Sequence, residues 1–218
     1  MTDPDATDGF PELINKFTDS ARQLLYRYHH ELTDKFGPVN GELAWNDVFM
    51  AGALRRSYAL TRGFLDLIAS RNFTAAAPLI RLQLDNSLRT VASVWAGDPK
   101  EFFTGIAEGK RINKMRADDG KSMTDRYLCD RLAPYHPWIL QLYKETSSFI
   151  HLSEKHLLAA LAPHPGYETF RCVLNDDEPG VPDGAYGDAL ISFIRTTLLF
   201  LEIVEKYAKQ KHSPPRDA

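Results

Sequence analysis

The chain has 218 residues, 44% of them hydrophobic and 25% charged, with a formal net charge of −3. That length favours one large domain, and the balance of apolar and charged residues excludes a disordered chain. A net negative charge excludes a protein that coats nucleic acid through bulk charge, while leaving room for a local basic patch.

Two cysteines, Cys129 and Cys172, lack any CxxC or His/Cys ligand spacing. This predicts small buried thiols in a reducing, cytoplasmic setting instead of a disulfide framework. The segment MTDPDATDGF is acidic and has no apolar core, so no signal peptide is expected. The most apolar late run, Ala189–Val204, is interrupted by Arg195. It falls short of the roughly 20 apolar residues a membrane span needs, so no membrane partner is expected.

In chain order, residues 1–9 read as a disordered lead. A first helix is predicted over Pro11–Phe36, with Leu13, Phe17, Leu24, Tyr28 and Leu32 as its core stripe, ended by Gly37-Pro38. Asn40-Gly41 is a turn signal. The second helix, Leu43–Ser70, would bury Trp45, Phe49, Ala53, Leu60, Phe64 and Leu67. Asn72 or Thr74 caps a third helix ending at Trp95, with Pro78 tolerated in its first turn. Asp98-Pro99 opens a short helix to Gly109.

Lys110–Thr124 reads as a polar loop. Thr124 or Ser122 caps a short helix to Ala133. His136-Pro137 opens another helix through His151, with Ser153 as a fresh cap for a turn or two to Leu161. Pro163–Gly187 is a second long loop with one strand-like piece, Thr169–Leu174. The last helix, Tyr186–Lys209, turns Leu190, Phe193, Ile194, Thr197, Leu201 and Val204 inward, and residues 211–218 form a disordered tail. Long helices with short connections predict an all-α fold, a single-domain antiparallel helical bundle over residues 10–210 with two long loops.

Two seams carry the candidate chemistry. Tyr143, Ser147 and His151 recur every four residues, so a continuous helix would align them along one face. Arg81, Asp85 and Arg89 share that spacing among leucines and valines. Ionisable groups on apolar helices must be paired, hydrogen-bonded or open to a wet cavity. His151 is the natural proton carrier at neutral pH, and Lys144 could neutralise an anion near it. Arg81 and Arg89 could grip a phosphate or carboxylate. The plainer expectation is that Asp85 pairs with one arginine inside its own helix and that Ser147 and His151 only fix helix register.

Lys110–Arg131 holds seven basic and four acidic residues, a local basic excess that could meet a phosphate backbone or pair with itself. Asp119-Gly120-Lys121-Ser122 has Met115 where a P-loop needs its first glycine. His151 and His156, five apart, diverge by about 140° on a helix. HExxH and Glu-x-x-His pairs are absent. No metal and no cofactor are expected.

Leu79-Ile80-Arg81 followed by Asp85, together with Tyr143, Ser147 and His151, resembles the HEPN superfamily, in particular bacterial DUF5677-like helical proteins. The resemblance spans Arg56–Leu161. It implies a helical bundle that dimerises, so a homo-oligomer, and in many members metal-independent RNA cleavage by an Arg-x4–6-His motif. The corresponding positions here are Lys144 and His151, a lysine standing where the family has arginine, which loses the planar fork. RNA is the partner this implies: His151 would assist attack of a ribose 2′-hydroxyl, Lys144 would stabilise the phosphoryl oxygens, and Ser147 and Tyr143 would orient the imidazole or the phosphate. Two other expectations stand beside it. One is a non-catalytic homodimeric module with a structural polar seam. The other is a small-molecule pocket lined by Trp95, Tyr143, Phe149 and Trp138, with Arg81 holding an anion.

Overall fold

A computed structural model describes residues 9–36, 45–150, 161–163, 169–172, 178 and 180–211. Four long helices, α1 (Gly9–Thr33), α2 (Trp45–Ala69), α3 (Phe73–Trp95) and α7 (Asp183–Lys211), pack as a bundle. α3 lies against both α2 and α7, and α1 closes the other side. Three shorter helices, α4 (Pro99–Ala107), α5 (Asp125–Leu132) and α6 (Ile139–Ser147), cover the outer side of α3. The fold is an all-α bundle, as the periodicity predicts. A two-stranded antiparallel ribbon, β1 (Leu161–Pro163) with β2 (Phe170–Cys172), is its one excursion among the described residues.

α3 is the central element because it buries nearly its whole circumference. Ile80, Leu84, Leu88 and Val91 are buried on it, and so are Gln83, Asn86, Ser87 and Thr90. Against it, the rings of Phe64 and Phe193 stack in parallel with centroids 4.0 Å apart, both fully buried. A polar bridge crosses the same core. The His29 Nδ1–H donates to the Leu25 carbonyl (2.6 Å), so Nε2 accepts from the Ser57 hydroxyl (2.9 Å), which in turn accepts from Gln83 Nε2 (2.6 Å).

That bridge sets the rotation of α1. The buried stripe is Ile14, Thr18, Ala21, Leu25, His29 and Leu32, while Leu13, Phe17 and Leu24 are exposed. The expected stripe is therefore one residue out of phase from Leu13 to Tyr28, while Leu32 is buried as expected. Small Ala21 and bonded His29 allow close packing, and larger side chains on the next stripe do not. Trp45 is likewise exposed, stacking on Phe103 at 4.8 Å. On α7 the expected inward residues are buried, Ile194 only partly.

Asn72, not Thr74, caps α3, its side chain accepting from the Ala75 N–H at 3.1 Å. Pro78 therefore sits in the second turn, where it removes the donor for the Thr74 carbonyl. The preceding residue, Arg71, is left-handed at φ 57. It closes α2 with Arg71 N–H on Ile68 O and Asn72 N–H on Leu67 O, the paired bonds of a Schellman end. The first α3 amides, Phe73 and Thr74, are taken by Glu178 at 2.8 and 3.0 Å, a charge-assisted cap at the positive end of the helix.

The 110–124 loop is not a free polar loop. It holds a 3-10 turn at Ile112–Lys114 and buries Met115, Ala117 and Met123. Bridges at Ala96–Ala117 and Arg116–Ser122 tie it down, and Gly120 turns it at φ +78. α6 ends at Ser147 and a turn covers residues 148–150, so the expected run of helix through His151 stops one turn early. Leu161, expected at a helix end, begins β1 instead. The turn signals at 37–44, the Ser153 cap, His156 and most of the two expected disordered ends lie outside the described residues. Helix α1 begins at Gly9 and α7 reaches Lys211.

Candidate anion site

The strongest electrostatic feature is a five-residue cluster joining α2, α3 and α5, with Tyr143 of α6 against it. Arg81 is 9% exposed. Its Nη2 donates to Asp125 Oδ2 at 3.2 Å, and its guanidinium lies over the Tyr143 ring at 3.8 Å. The Tyr143 hydroxyl donates to that same oxygen at 3.3 Å. Arg89, two turns on from Arg81, donates through Nη2 to Asp125 Oδ1 at 2.6 Å and pairs with Asp85 at 3.0 Å. Arg56 reaches Asp85 at 3.4 Å and Asn86 at 3.2 Å.

The i,i+4 pair thus forms between Asp85 and Arg89, while Arg81 pairs across to α5. Three guanidiniums face two carboxylates, leaving one positive charge in excess. Arg81 Nη1 and Arg89 Nη1 are both buried and have no hydrogen-bond partner among the described residues. A buried unpaired charged donor is costly, of the order of 1–3 kcal/mol or more. The cluster is not sealed as a whole: the side chains of Asp125, Arg89 and Asp85 keep 23%, 26% and 29% exposure. Cys129 is fully buried beside it, and burial pushes its thiol up to about 12, so it is inert at neutral pH. The Cys172 side chain lies outside the described residues.

The two seams therefore meet at Arg81 and Tyr143; Asp85 and Arg89 stay with the cluster, while Lys144 and Ser147 take no part in it among the described contacts. Lys144 follows Tyr143 by one position, about 100° round the helix, and is exposed. Ser147 is also exposed, its hydroxyl turned back to the Tyr143 carbonyl at 2.8 Å. Ser147 is still within α6, one turn beyond Tyr143 as its spacing expects, but among the described residues its hydroxyl makes no hydrogen bond to the arginines. His151 lies outside the described residues.

Asp125 and Arg56 are members of this cluster that sequence reasoning misses. Asp125 follows the Thr124 cap, where an acidic residue reads as an ordinary complement to the helix dipole. Three of the seven basic residues in Lys110–Arg131 pair with acids of the same segment. Arg131 forks onto Asp118 at 2.5 and 2.9 Å, Arg126 bonds Asp130 at 2.9 Å, and Lys121 pairs with Asp119 at 3.4 Å. Arg131 thereby holds the Asp118 carboxyl below the usual range.

Among the described residues no His, Cys, Asp and Glu group could hold a metal ion, and no helix is long and apolar enough to cross a membrane. No protein-family model, curated protein or solved structure matches the chain.

Proposed function

We propose that this helical protein binds RNA in the HEPN-like manner, with a phosphate held at the Arg81–Arg89 cluster. The observation that carries the reading is the pair of buried guanidinium nitrogens, unpartnered among the described residues, beside a carboxylate that already serves both arginines. The excess positive charge and the partial exposure of Arg89 and Arg56 give an anion a reason to bind and a side from which to arrive. Such binding is salt-dependent, as phosphate contacts are.

Cleavage is the enzymatic form of this proposal, with His151 moving the proton and Lys144 countering phosphoryl charge. The same reading takes the chain as a bacterial, cytoplasmic homodimer, with the exposed α1 stripe of Leu13, Phe17 and Leu24 as an apolar face for a second copy. Purified protein incubated with RNA and a chelator tests the chemistry. Loss of cleavage in His151→Ala and in Lys144→Ala, with RNA binding retained, is the expected result; unchanged cleavage in both rejects the assignment.

A second reading has its own supporting observation. Asp125 already takes hydrogen bonds from Arg81, Arg89 and Tyr143, so the cluster also serves as a clasp tying α3 to α5 and α6. If that is its sole role, the chain is a non-catalytic interaction module. Cluster substitutions would then lower thermal stability and leave RNA binding where it was.

A further inference from the structure

A cavity of ≈ 460 Å³ opens between the first turns of α3, the end of α6 and the start of α7. Its volume is that of an ordinary small-molecule site. One aromatic wall borders it: Phe73 and Phe149 pack edge-to-face, centroids 6.1 Å apart at 81°. The rest of the lining is mostly aliphatic, Ile80 and Leu142 included.

The charged residues in that lining are of one sign. Glu145 and Asp188 both contribute, and among the described residues no lysine, arginine or histidine does. Both carboxylates are exposed residues on helices. Glu145 Oε1 accepts only from the neutral Gln141 amide, at 2.8 Å, and Asp188 has no hydrogen bond or ion pair to a described residue. An apolar chamber with aromatic faces and two uncompensated carboxylates favours a positive ligand twice over. The carboxylates attract it through space, and ring faces stabilise a cation laid against them. An anion entering the same chamber meets repulsion from both acids.

The arginine cluster does not reverse this preference. Arg81 is one turn beyond Ala77 on α3, but its guanidinium is tied to Asp125 and covered by Tyr143, and it does not line the cavity. The expected pocket lined by Trp95, Tyr143 and Trp138 is accordingly corrected. Of the four aromatic residues anticipated, only Phe149 borders this cavity.

We infer that the α3–α6–α7 cavity is a binding site for a small organic amine, an ammonium group carried on an aromatic or aliphatic body, with Glu145 and Asp188 as its counter-charges. The body packs against the wall made by Phe73 and Phe149, and the ammonium lies toward the two acids. This inference is independent of the RNA reading, since it uses none of the same side chains.

The test is a charge series of one shape: 4-phenylbutylamine, 4-phenylbutanol and 4-phenylbutyrate, titrated calorimetrically into the full chain. The expected order is amine first, alcohol weaker and carboxylate weakest. The double variant Glu145→Gln, Asp188→Asn should weaken the amine by at least about fivefold and leave the alcohol unchanged. Both residues are exposed, so the variant keeps the wild-type circular dichroism and melting temperature. An amine that does not bind, an amine bound no better than the carboxylate, or an affinity untouched by the double variant would each overturn the assignment.

Discussion

Replacing Asp125 by Asn removes the negative charge, and one of the two acceptor oxygens, that serve Arg81, Arg89 and Tyr143 while preserving side-chain shape. Removing one partner of a fully buried ion pair costs about 3–5 kcal/mol, because the other charge stays buried alone. Here Arg81 loses its carboxylate while Arg89 keeps Asp85 at 3.0 Å, and Asp125 has 23% exposure and Arg89 26%. Water therefore screens part of the loss, bringing it to about 2–3 kcal/mol. For a chain of this size that lowers the melting temperature by about 5–10 °C. An anion-binding cluster adds a second signature. Phosphate, at an ionic strength matched with sodium chloride, should restore part of the loss in Asp125→Asn and raise the wild type less. Thermal denaturation followed by circular dichroism reads both. A melting temperature within about 2 °C of wild type would refute the claim that this carboxylate neutralises buried charge.

Three further outcomes follow from the packing. Phe64→Ala empties one half of a fully buried stacked pair and should cost about 3–5 kcal/mol, seen as a fall of about 10 °C or more in the melting temperature. His29 is buried and neutral, and burial lowers its pKa below the ordinary 6.5. Its contribution to stability is present above that value and lost as pH falls below it, where the unfolded chain takes up a proton that the folded one resists. Urea denaturation between about pH 7 and about pH 5 should show this loss, and His29→Gln should lack that part of the slope. Glu178→Gln removes the negative charge capping α3 and should cost about 0.5–1 kcal/mol by the same urea measurement; no change would mean that the Phe73 and Thr74 amides gain nothing from the carboxylate.

The helices were legible because apolar periodicity and caps are local signals. Asp98, Thr124 and Asn72 each accept from an amide two or three residues on, as their types anticipate. The rotation of α1 was not legible. It depends on whether His29 finds Ser57, 28 residues away, and the chain offered a second apolar stripe of larger residues. The site divides along the same line. Arg81, Asp85 and Arg89 stand out as charges on an apolar helix, and their spacing correctly anticipates the Asp85–Arg89 pair. Asp125 closes the cluster from 36 residues beyond Arg89, and no spacing rule reaches that far. Tyr143 meets Arg81 as a neighbouring helix allows, whereas the Ser147 hydroxyl donates to its own helix, to the Tyr143 carbonyl, a choice that spacing does not announce.

The central claim is that the guanidiniums of α3 take a phosphate. It is tested most directly by fluorescence anisotropy of a labelled single-stranded RNA titrated with wild-type protein and with Arg89→Gln, both confirmed folded by circular dichroism. The account predicts saturable, salt-sensitive binding that Arg89→Gln weakens by at least about tenfold. Equal binding by the two proteins, or no binding by the wild type, would contradict it.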